Sequence, residues 1–441
     1  MFFVTKTHLS EFREAVYQKV VWRPAAILDL VDALTIAGHV SSPVALSESS
    51  LFRRKFSSVY DALVHGDLGD DLKTVFSDSQ DVDWETIGGY EIHAIDATPN
   101  ERMSAETLAD RGALKAQQKE PVRYGHKSSW LVRLVQRGTS WVAPEDIERI
   151  GTATTDTKVA AQQVKDLAVR SQRPKVITAD SRYRDKHFLS TFADLENTFA
   201  LVRLQNNQKL SQEPAPKPKG SRGAPRKHGA DFQVNAIERE PDALTEFSLG
   251  RQKVRMRVWH KLHFKRLAKV KGSVVCVEFL RKDGTPRYKR PLWLFWIGPE
   301  GVAPQDLCRM YLWRFAIEHL FRFLKQHMGL NGNRSSNLDS LQRWMWIVAL
   351  AYWQLLLMRD TVKPNRPAWH PHKKDGQGKP LTPSQVQRSA QAFLLQSGTP
   401  APTTRPAGKG SGRQKGYRPA PRKRFEVVFK TKKAQKQPKT C

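Results

Sequence analysis

Two aspartates in this sequence stand where a carboxylate could act on a substrate. Asp96 ends the buried strand predicted at 90–97, and Asp180 directly follows the β-rich run 174–179. A carboxylate at the end of a strand points into the crevice where α/β sheets hold their sites. Each aspartate alone is weak support for catalysis, because aspartate also ends many strands as an ordinary turn former.

A third acid lies in the segment YLWRFAIEHLFRFLK, residues 311–325. On a single helix each residue advances by about 100°, so Tyr311, Arg314, Glu318 and Lys325 would share one face, with Arg322 at its edge. The opposite face should belong to the core and carries Leu312, Ala316, Leu320, Phe323 and Leu324. The plainer alternative is a solvated face with ion pairs between residues four apart.

Three carboxylates and a basic stripe could act on phosphodiesters. Two divalent cations about 3.5–4 Å apart can clamp both the attacking and the leaving oxygen. Mg²⁺ prefers hard oxygen ligands and keeps several waters, so three carboxylates can suffice. We expect two Mg²⁺ or Mn²⁺ ions on Asp96, Asp180 and Glu318. The DNA-contacting residues would be Tyr311, Arg314, Arg322 and Lys325, through phosphate contacts or base stacking.

The net charge of +30, with a pI near 10.1, predicts a polyanionic partner. Nucleic acid is the commonest such partner, because neutralising its phosphates releases counterions. The three cysteines are too few and too irregularly spaced for a disulfide framework or a cysteine-based zinc site. We find no signal peptide, and the longest apolar run, Trp344–Leu357, is too short to cross a membrane. The expected location is therefore the cytoplasm, in association with the nucleoid.

The elements that position these residues suggest five regions. Residues 1–88 read as a helical domain in which 48–63 forms a helix with a basic face, which suits either a DNA-binding module or a solvated helix. Residues 89–204 mix strands and helices, 205–299 are β-rich with a basic, proline-rich loop, and 300–360 carry two long helices. The predicted fold class is α/β, with a mixed sheet flanked by helices.

The fifth region, 361–441, is a basic tail with 19 Lys plus Arg against two acids. Such a composition predicts a segment that builds no core and stays largely disordered without DNA, although a short strand at 425–429 could dock.

In the strand predicted at 90–97, we expect Pro99 and Asn100 to end the strand just after Asp96.

The spacing Tyr311-x2-Arg314-x3-Glu318-x6-Lys325 resembles the Tyr-Arg-Glu-Lys signature of a large group of bacterial insertion-sequence DDE transposases. The resemblance covers roughly residues 88–358 and implies an RNase H-like core. In that group the glutamate is the third acid of the triad, and Asp96 and Asp180 match the first two in order and context. A β-rich insertion before the glutamate is also similar to that group.

The resemblance implies a metal-dependent enzyme that cuts and joins DNA. A homodimer or higher assembly would bind the terminal inverted repeats of its element. Activated water would attack the phosphodiester at the element end, and the freed 3′-hydroxyl would later attack target DNA. The group often uses a tryptophan of the insertion to stabilise a displaced base, for which Trp259, Trp293 and Trp296 are candidates, although packing in the core is the commoner role.

Two alternatives remain open at this point: a non-enzymatic basic nucleic-acid-binding protein, and a degenerate transposase that binds DNA without cutting. Among other acids, Asp156 suits a helix cap, Asp185 lies beyond the strand end, and Asp81 and Asp83 stand in a polar loop. His93 and His319, beside two proposed ligands, are expected to be structural. The enzyme hypothesis would weaken if the three acids lay far apart or if one were buried in an ion pair.

Overall fold

The structure is a computed structural model that describes residues 2–78, 84–114, 121–217, 222–224, 226–363, 380–404, 412 and 414–429. For residues 2–7, 77 and 78 it describes the backbone alone. The loop predicted at Asp81 and Asp83, and much of the basic tail, lie outside the described residues.

One mixed sheet of twelve strands runs through the described part of the chain. The strands are β1 Glu91–Glu101, β2 Gly112–Leu114, β3 Arg123–Leu134, β4 Val142–Ile150, β5 Lys175–Ala179, β6 Thr198–Arg203, β7 Lys209–Gln212, β8 Asp231–Gln233, β9 Ala243–Leu249, β10 Gln252–His263, β11 Gly272–Leu280 and β12 Leu292–Ile297. Their order is β2-β3-β1-β5-β6-β12-β11-β10-β7-β8, with β4 on β3 and β9 on β10. Strand β5 is parallel to both β1 and β6.

Ten α-helices are described around this sheet. They are α1 Phe2–Lys19, α2 Pro24–Ile36, α3 Ser57–His65, α4 Leu72–Asp78, α5 Asp156–Arg170, α6 Lys186–Leu189, α7 Pro304–Trp313, α8 Ala316–Gln326, α9 Leu338–Met358 and α10 Pro383–Ser397. Short 3-10 helices span Pro43–Glu48, Ser181–Arg184 and Ser190–Ala193. The predicted fold class, a mixed α/β sheet flanked by helices, is confirmed and is consistent with the RNase H-like core that the resemblance implies.

Alternating residues of β1 reach the two faces of the sheet, which buries a core on each. Ile92 and Ala94 join the core formed with α9, whereas Ile95 joins the core formed with α5 and its Val164. Helix α9 is buried along nearly its whole length, as the apolar run predicted. In the part of the chain that the structure describes, no helix is long and apolar enough to cross a membrane.

The N-terminal helices pack on α9 and share its core. Ser340 donates to the carbonyl of Leu63 at 2.7 Å, and the amide of Gln354 donates to Asp32 at 3.0 Å. The helix predicted over 48–63 begins only at Ser57, so the basic helical face expected there is wrong. Arg53 and Arg54 both pair with the buried Asp29 of α2, because an isolated carboxylate in the core needs a counterion.

The predicted β-rich region at 205–299 continues the central sheet. Strand β12 pairs antiparallel with β6, and β11 lies between β12 and β10. A turn at Asp283-Gly284 follows β11, and Gly284 takes the positive φ of 82° that this turn requires. Strand β12 begins at Leu292.

Strand β1 does not stop before Pro99, contrary to the sequence-based expectation. It continues to Glu101 and stays paired with β3, with Pro99 opposite Lys127. Beyond the pair Ile95–Ala179, strand β5 has ended, so β1 keeps a neighbour on one side only. A proline whose missing N–H faces that vacant side leaves the ladder to β3 intact.

The expectation that the region after residue 360 builds no core is wrong for residues 383–397. Helix α10 buries Val386, Ala390 and Leu394 in the core shared by α2 and α9. Its start carries a capping box between Thr382 and Gln385, with proline in the first turn. The predicted strand at 425–429 docks as a single bridge, with the N–H of Val428 donating to Arg111 at 2.7 Å.

Candidate active site

Asp96 and Asp180 lie side by side at the centre of the sheet. Ile95 pairs with Ala179 in the parallel ladder, so the two aspartates occupy the next register position on strands about 4.8 Å apart. Strand alternation directs Asp96 to the same face as Ala94, the face covered by α9 and α8. The expected strand end is therefore found at Asp180, whereas Asp96 lies within β1, which continues to Glu101.

Helices α7 and α8 meet at a break inside the segment 311–325, which was predicted to form a single helix. The N–H of Phe315 donates to Leu312 at 3.4 Å and that of Glu318 to Phe315 at 3.1 Å, which is 3-10 spacing. Leu312, predicted to be in the core, is 37% exposed because the break turns it outward. The other predicted core positions, Ala316, Leu320, Phe323 and Leu324, are buried.

Arg314, at this break, joins two of the three acids. Its guanidinium donates to Asp96 Oδ2 at 3.2 Å through Nη1 and to Glu318 Oε1 at 3.0 Å through Nη2. The ring of Tyr311 lies 5.8 Å from the same guanidinium. Asp96 Oδ1 accepts a further bond of 2.8 Å from the N–H of Ala97. The structure therefore brings Asp96 and Glu318 together through a shared cation.

The charges of the three acids change the pKa values of the groups around them. Burial raises the pKa of Asp96 to about 6, with Arg314 opposing the rise and the charge of Asp180 adding to it. Burial alone would lower the pKa of Arg314. Tyr311 and the three acids raise that pKa by more, so the pKa of Arg314 lies above its usual value. Arg314 is consequently a permanent cation within an acidic cluster.

The three carboxylates have the right donor atoms for a divalent metal ion, but they do not lie close enough together to hold one. Carboxylate oxygens are the hard donors that Mg²⁺ takes, and Glu318 keeps 42% of its side chain exposed. Among the residues described, however, no group of three His, Cys, Asp or Glu is close enough to hold a metal ion. Arg314 stands between Asp96 and Glu318, so a bound ion would require that pairing to loosen.

The rest of the predicted basic stripe follows α8 along β1. Phe321 contacts Trp130, the β3 residue that pairs with Asp96, at 6.1 Å between ring centroids. Further along, burial lowers the pKa of Lys325, against the opposing effect of Glu101 near the end of β1. Arg322 is exposed. Lys325 thus lies near the end of β1.

The other acids considered in the sequence have structural partners. Thr155 caps α5, so the cap predicted at Asp156 is off by one residue; Asp156 instead pairs with Arg182 and with Lys127. Asp185 caps α6 by accepting from the N–H of His187 at 2.9 Å.

The two histidines beside proposed ligands also have neighbours of their own. His93 is fully buried with Nε2 3.0 Å from Glu145, and His319 packs edge-on against Phe315. The three tryptophans considered for base stacking, Trp259, Trp293 and Trp296, are all buried in the cores.

Several cations near the acids escaped the sequence analysis. Arg182 and Arg184 lie in the 3-10 helix just after Asp180, and the charge of Arg203, at the end of β6, reaches Tyr311. The basic run Ser-Arg-Tyr-Arg-Asp-Lys after Asp180 was the available signal. Arg203 had none, because only the sheet order brings β6 beside β5.

Comparison with known families identifies one similar domain. Residues 150–354, somewhat less than half of the chain, match the family model described as the transposase DDE domain. This range includes Asp180 and Glu318 and begins after Asp96. No curated protein matches the chain. The described part of this chain thus contains a region similar to the transposase DDE domain, and that similarity supports a DDE transposase.

Proposed function

We propose that this protein is a DNA transposase of the DDE type, of the bacterial insertion-sequence group with the Tyr-Arg-Glu-Lys signature. The observation that supports this proposal most is that Asp96, within β1, and Asp180, directly after β5, occupy adjacent register positions on parallel strands, while Arg314 pairs with both Asp96 and Glu318. The similarity of residues 150–354 to the transposase DDE domain supports the same assignment.

In this proposal Asp96, Asp180 and Glu318 are the ligands for two Mg²⁺ or Mn²⁺ ions. When bound, such ions supply positive charge to the attacking and leaving oxygens of a phosphodiester. Arg314 keeps Asp96 and Glu318 near each other before the ions arrive. Lys325 and Arg322 hold the phosphates of the strand being cut, and Tyr311 hydrogen-bonds a phosphate or stacks on a base.

The reaction sequence needs two phosphoryl transfers. Water attacks the phosphodiester at the element end, breaking the bond to the 3′-oxygen and leaving a free 3′-hydroxyl and a 5′-phosphate. That hydroxyl then attacks a phosphodiester of target DNA, joining the two molecules and releasing a target 3′-hydroxyl. The protein forms no covalent bond to DNA in either step.

The proposed partners are the terminal inverted repeats of the element and the target DNA. A homodimer would hold two ends together in the cytoplasm, at the nucleoid. The five-region division from the sequence remains part of this proposal, with residues 1–88 as the end-binding region. Arg53 and Arg54 are unsuited to DNA contact because they neutralise Asp29.

A second candidate is a degenerate transposase that binds DNA without cutting it. The observation that favours it is the pairing of Arg314 with both Asp96 and Glu318. If this pairing persists in the presence of divalent cations, two of the three ligands stay occupied. A merely basic nucleic-acid-binding protein accounts for the charge but not for the adjacent aspartates.

Cleavage of DNA that carries the genomic sequences flanking both ends of the gene separates these candidates. Supercoiled plasmid is incubated with Mg²⁺ or Mn²⁺ and either wild type, Asp96→Asn or Asp194→Asn. Asp194 is an exposed acid outside the proposed site and serves as the matched control. We expect nicking by wild type and by the control only, while all three proteins bind the DNA.

Calorimetric titration with Mn²⁺ in the absence of DNA provides a second measurement. Wild type and Asp194→Asn should bind the ion, and Asp96→Asn should bind it at least ten-fold more weakly. Binding of DNA by all proteins with nicking by none would leave the non-cutting candidate. Equal nicking by Asp96→Asn would refute the assignment of that carboxylate.

A further inference from the structure

A cleft of about 680 Å³ opens beside Asp180. One wall is the 3-10 helix Ser181–Arg184 with the start of α6, and the other is the segment 264–267 that follows β10. Gln205 and Gln208, which follow β6, form its floor. The cleft therefore lies beside the ends of β5 and β6, whereas Lys325 lies near the end of β1.

The two acids that line this cleft are occupied by the backbone. Asp180 accepts from the N–H of Arg182 at 2.8 Å, and Asp185 accepts from the N–H of His187 at 2.9 Å. Two of the five lining cations also have counterions: Arg182 pairs with Asp156, and Lys265 pairs with Asp231 at 2.8 Å.

The other three cations, Arg184, Lys186 and Arg266, take part in no ion pair with the described residues. Nη1 of Arg184 is buried and has no hydrogen-bond partner within the described ranges. Burial lowers the pKa of Arg184 while the nearby charge of Asp180 opposes that change. Lys186 and Arg266 are exposed. A buried guanidinium nitrogen without an acceptor indicates a site for an anionic ligand.

The chemistry of the cleft favours a phosphodiester backbone over a small apolar ligand. Polar and charged side chains supply most of the lining, and Phe264, Leu189 and Leu267 are its apolar members. Arginine binds phosphate oxygens through two parallel bonds and lysine binds them as a point charge. Three cations beside one aspartate suit successive phosphates of a strand that passes the acids.

We propose that Arg184, Lys186 and Arg266 bind the phosphates of duplex DNA in this cleft beside Asp180. This inference rests on the proposed function and extends it, because it adds a second set of phosphate contacts to those of Lys325 and Arg322. The DNA backbone would then be held at two places near the scissile phosphodiester.

The test is the salt dependence of duplex binding without divalent cations. A duplex of arbitrary sequence is titrated between 50 and 200 mM salt with wild type and with the triple variant Arg184→Ala, Lys186→Ala, Arg266→Ala. Each lost phosphate contact lowers the slope of log affinity against log salt by about 0.9, so three contacts change it by about 2.7. Over this fourfold range, wild type should lose about 40-fold more affinity than the variant.

A control triple variant removes the same charge elsewhere, through Lys165→Ala, Arg251→Ala and Lys282→Ala, all exposed positions outside the cleft. We expect its slope to stay close to that of wild type. Equal slopes in the two triple variants would overturn the cleft assignment and leave only the general effect of net charge.

The outcome separates this inference from the proposed function, because the binding assay needs no cleavage. A selective slope change together with an uncut plasmid would support the cleft and refute the enzyme. Normal nicking together with an unchanged slope would support the enzyme and refute the cleft assignment.

Discussion

Replacing Glu145 by Gln should destabilise the protein in a pH-dependent way. Glu145 lies on β4 with a side chain only 3% exposed, and its carboxylate is 3.0 Å from Nε2 of the fully buried His93 on β1. Burial alone would raise the pKa of Glu145, but His93, Arg133 and Arg170 lower it from 4.5 to about 2. Because β1 carries Asp96, the contact between His93 and Glu145 also stabilises the strand of the candidate site.

The size of the effect follows from that pKa. A fall from 4.5 to about 2 corresponds to about 3 kcal/mol, since one pKa unit is worth about 1.4 kcal/mol. The folded-state pKa is depressed, so this stability is fully present above pH 4.5 and is lost as the pH falls through 2. At pH 3 it should have fallen to about 1–2 kcal/mol.

Urea denaturation of wild type and Glu145→Gln at pH 7 and pH 3 measures this difference. Glu148→Gln is a control on the same strand, since that carboxylate is 41% exposed and pairs with the partly buried Lys73. A difference below about 1 kcal/mol at pH 7, or one that is equal at both pH values, would refute the reasoning.

Two further predictions concern packing. Leu394→Ala in α10 should cost about 2–5 kcal/mol in urea denaturation, whereas Leu395→Ala should cost about 0.5 kcal/mol or less, because their side chains are 2% and 59% exposed; equal losses would contradict the docking of α10. Gly125→Ala should also lower the denaturation midpoint, because a Cβ there would lie 2.1 Å from the carbonyl oxygen of Asn100 on β1. Gly138→Ala is its control with open space around the residue, although its positive φ adds some strain, and a smaller loss at Gly125 than at Gly138 would count against the close β1–β3 contact.

Local patterns were enough to predict the elements that carry the site. Apolar runs that end on Asp96 and Asp180 became β1 and β5, and the apolar stretch after Ser340 became the buried α9. Parallel pairing of β1 with β5 then follows from the intervening helix α5, since such crossovers join parallel strands. The fold class was therefore within reach of the sequence.

The break between α7 and α8 was not predictable from helical periodicity. Every residue from Leu312 to Ile317 tolerates a helix, so propensity favours one continuous helix. The 3-10 turn coincides with Arg314, whose guanidinium contacts Asp96, a residue 218 positions earlier. Such a tertiary contact leaves no local signal in the sequence.

For the region after residue 360, average composition gave the wrong prediction, although the sequence contains a local signal for helix α10. The 81 residues of the tail have a polar, basic average composition, yet Thr382, Pro383 and Gln385 form a helix-start signature just before Val386. The union of β6 with β12 had no comparable signal, because long-range strand pairing is set by the fold as a whole. The β-rich region therefore read as a separate insertion.

The late position of α10 in the chain bears on how the protein is made. The face of α2 that receives Val386 and Leu394 leaves the ribosome more than 340 residues before they do. Until then that face stays uncovered on the nascent chain and is available to chaperones or to other chains. A frameshift that removes the coding sequence from residue 382 onward should therefore yield protein that aggregates, even though every proposed metal ligand is still encoded.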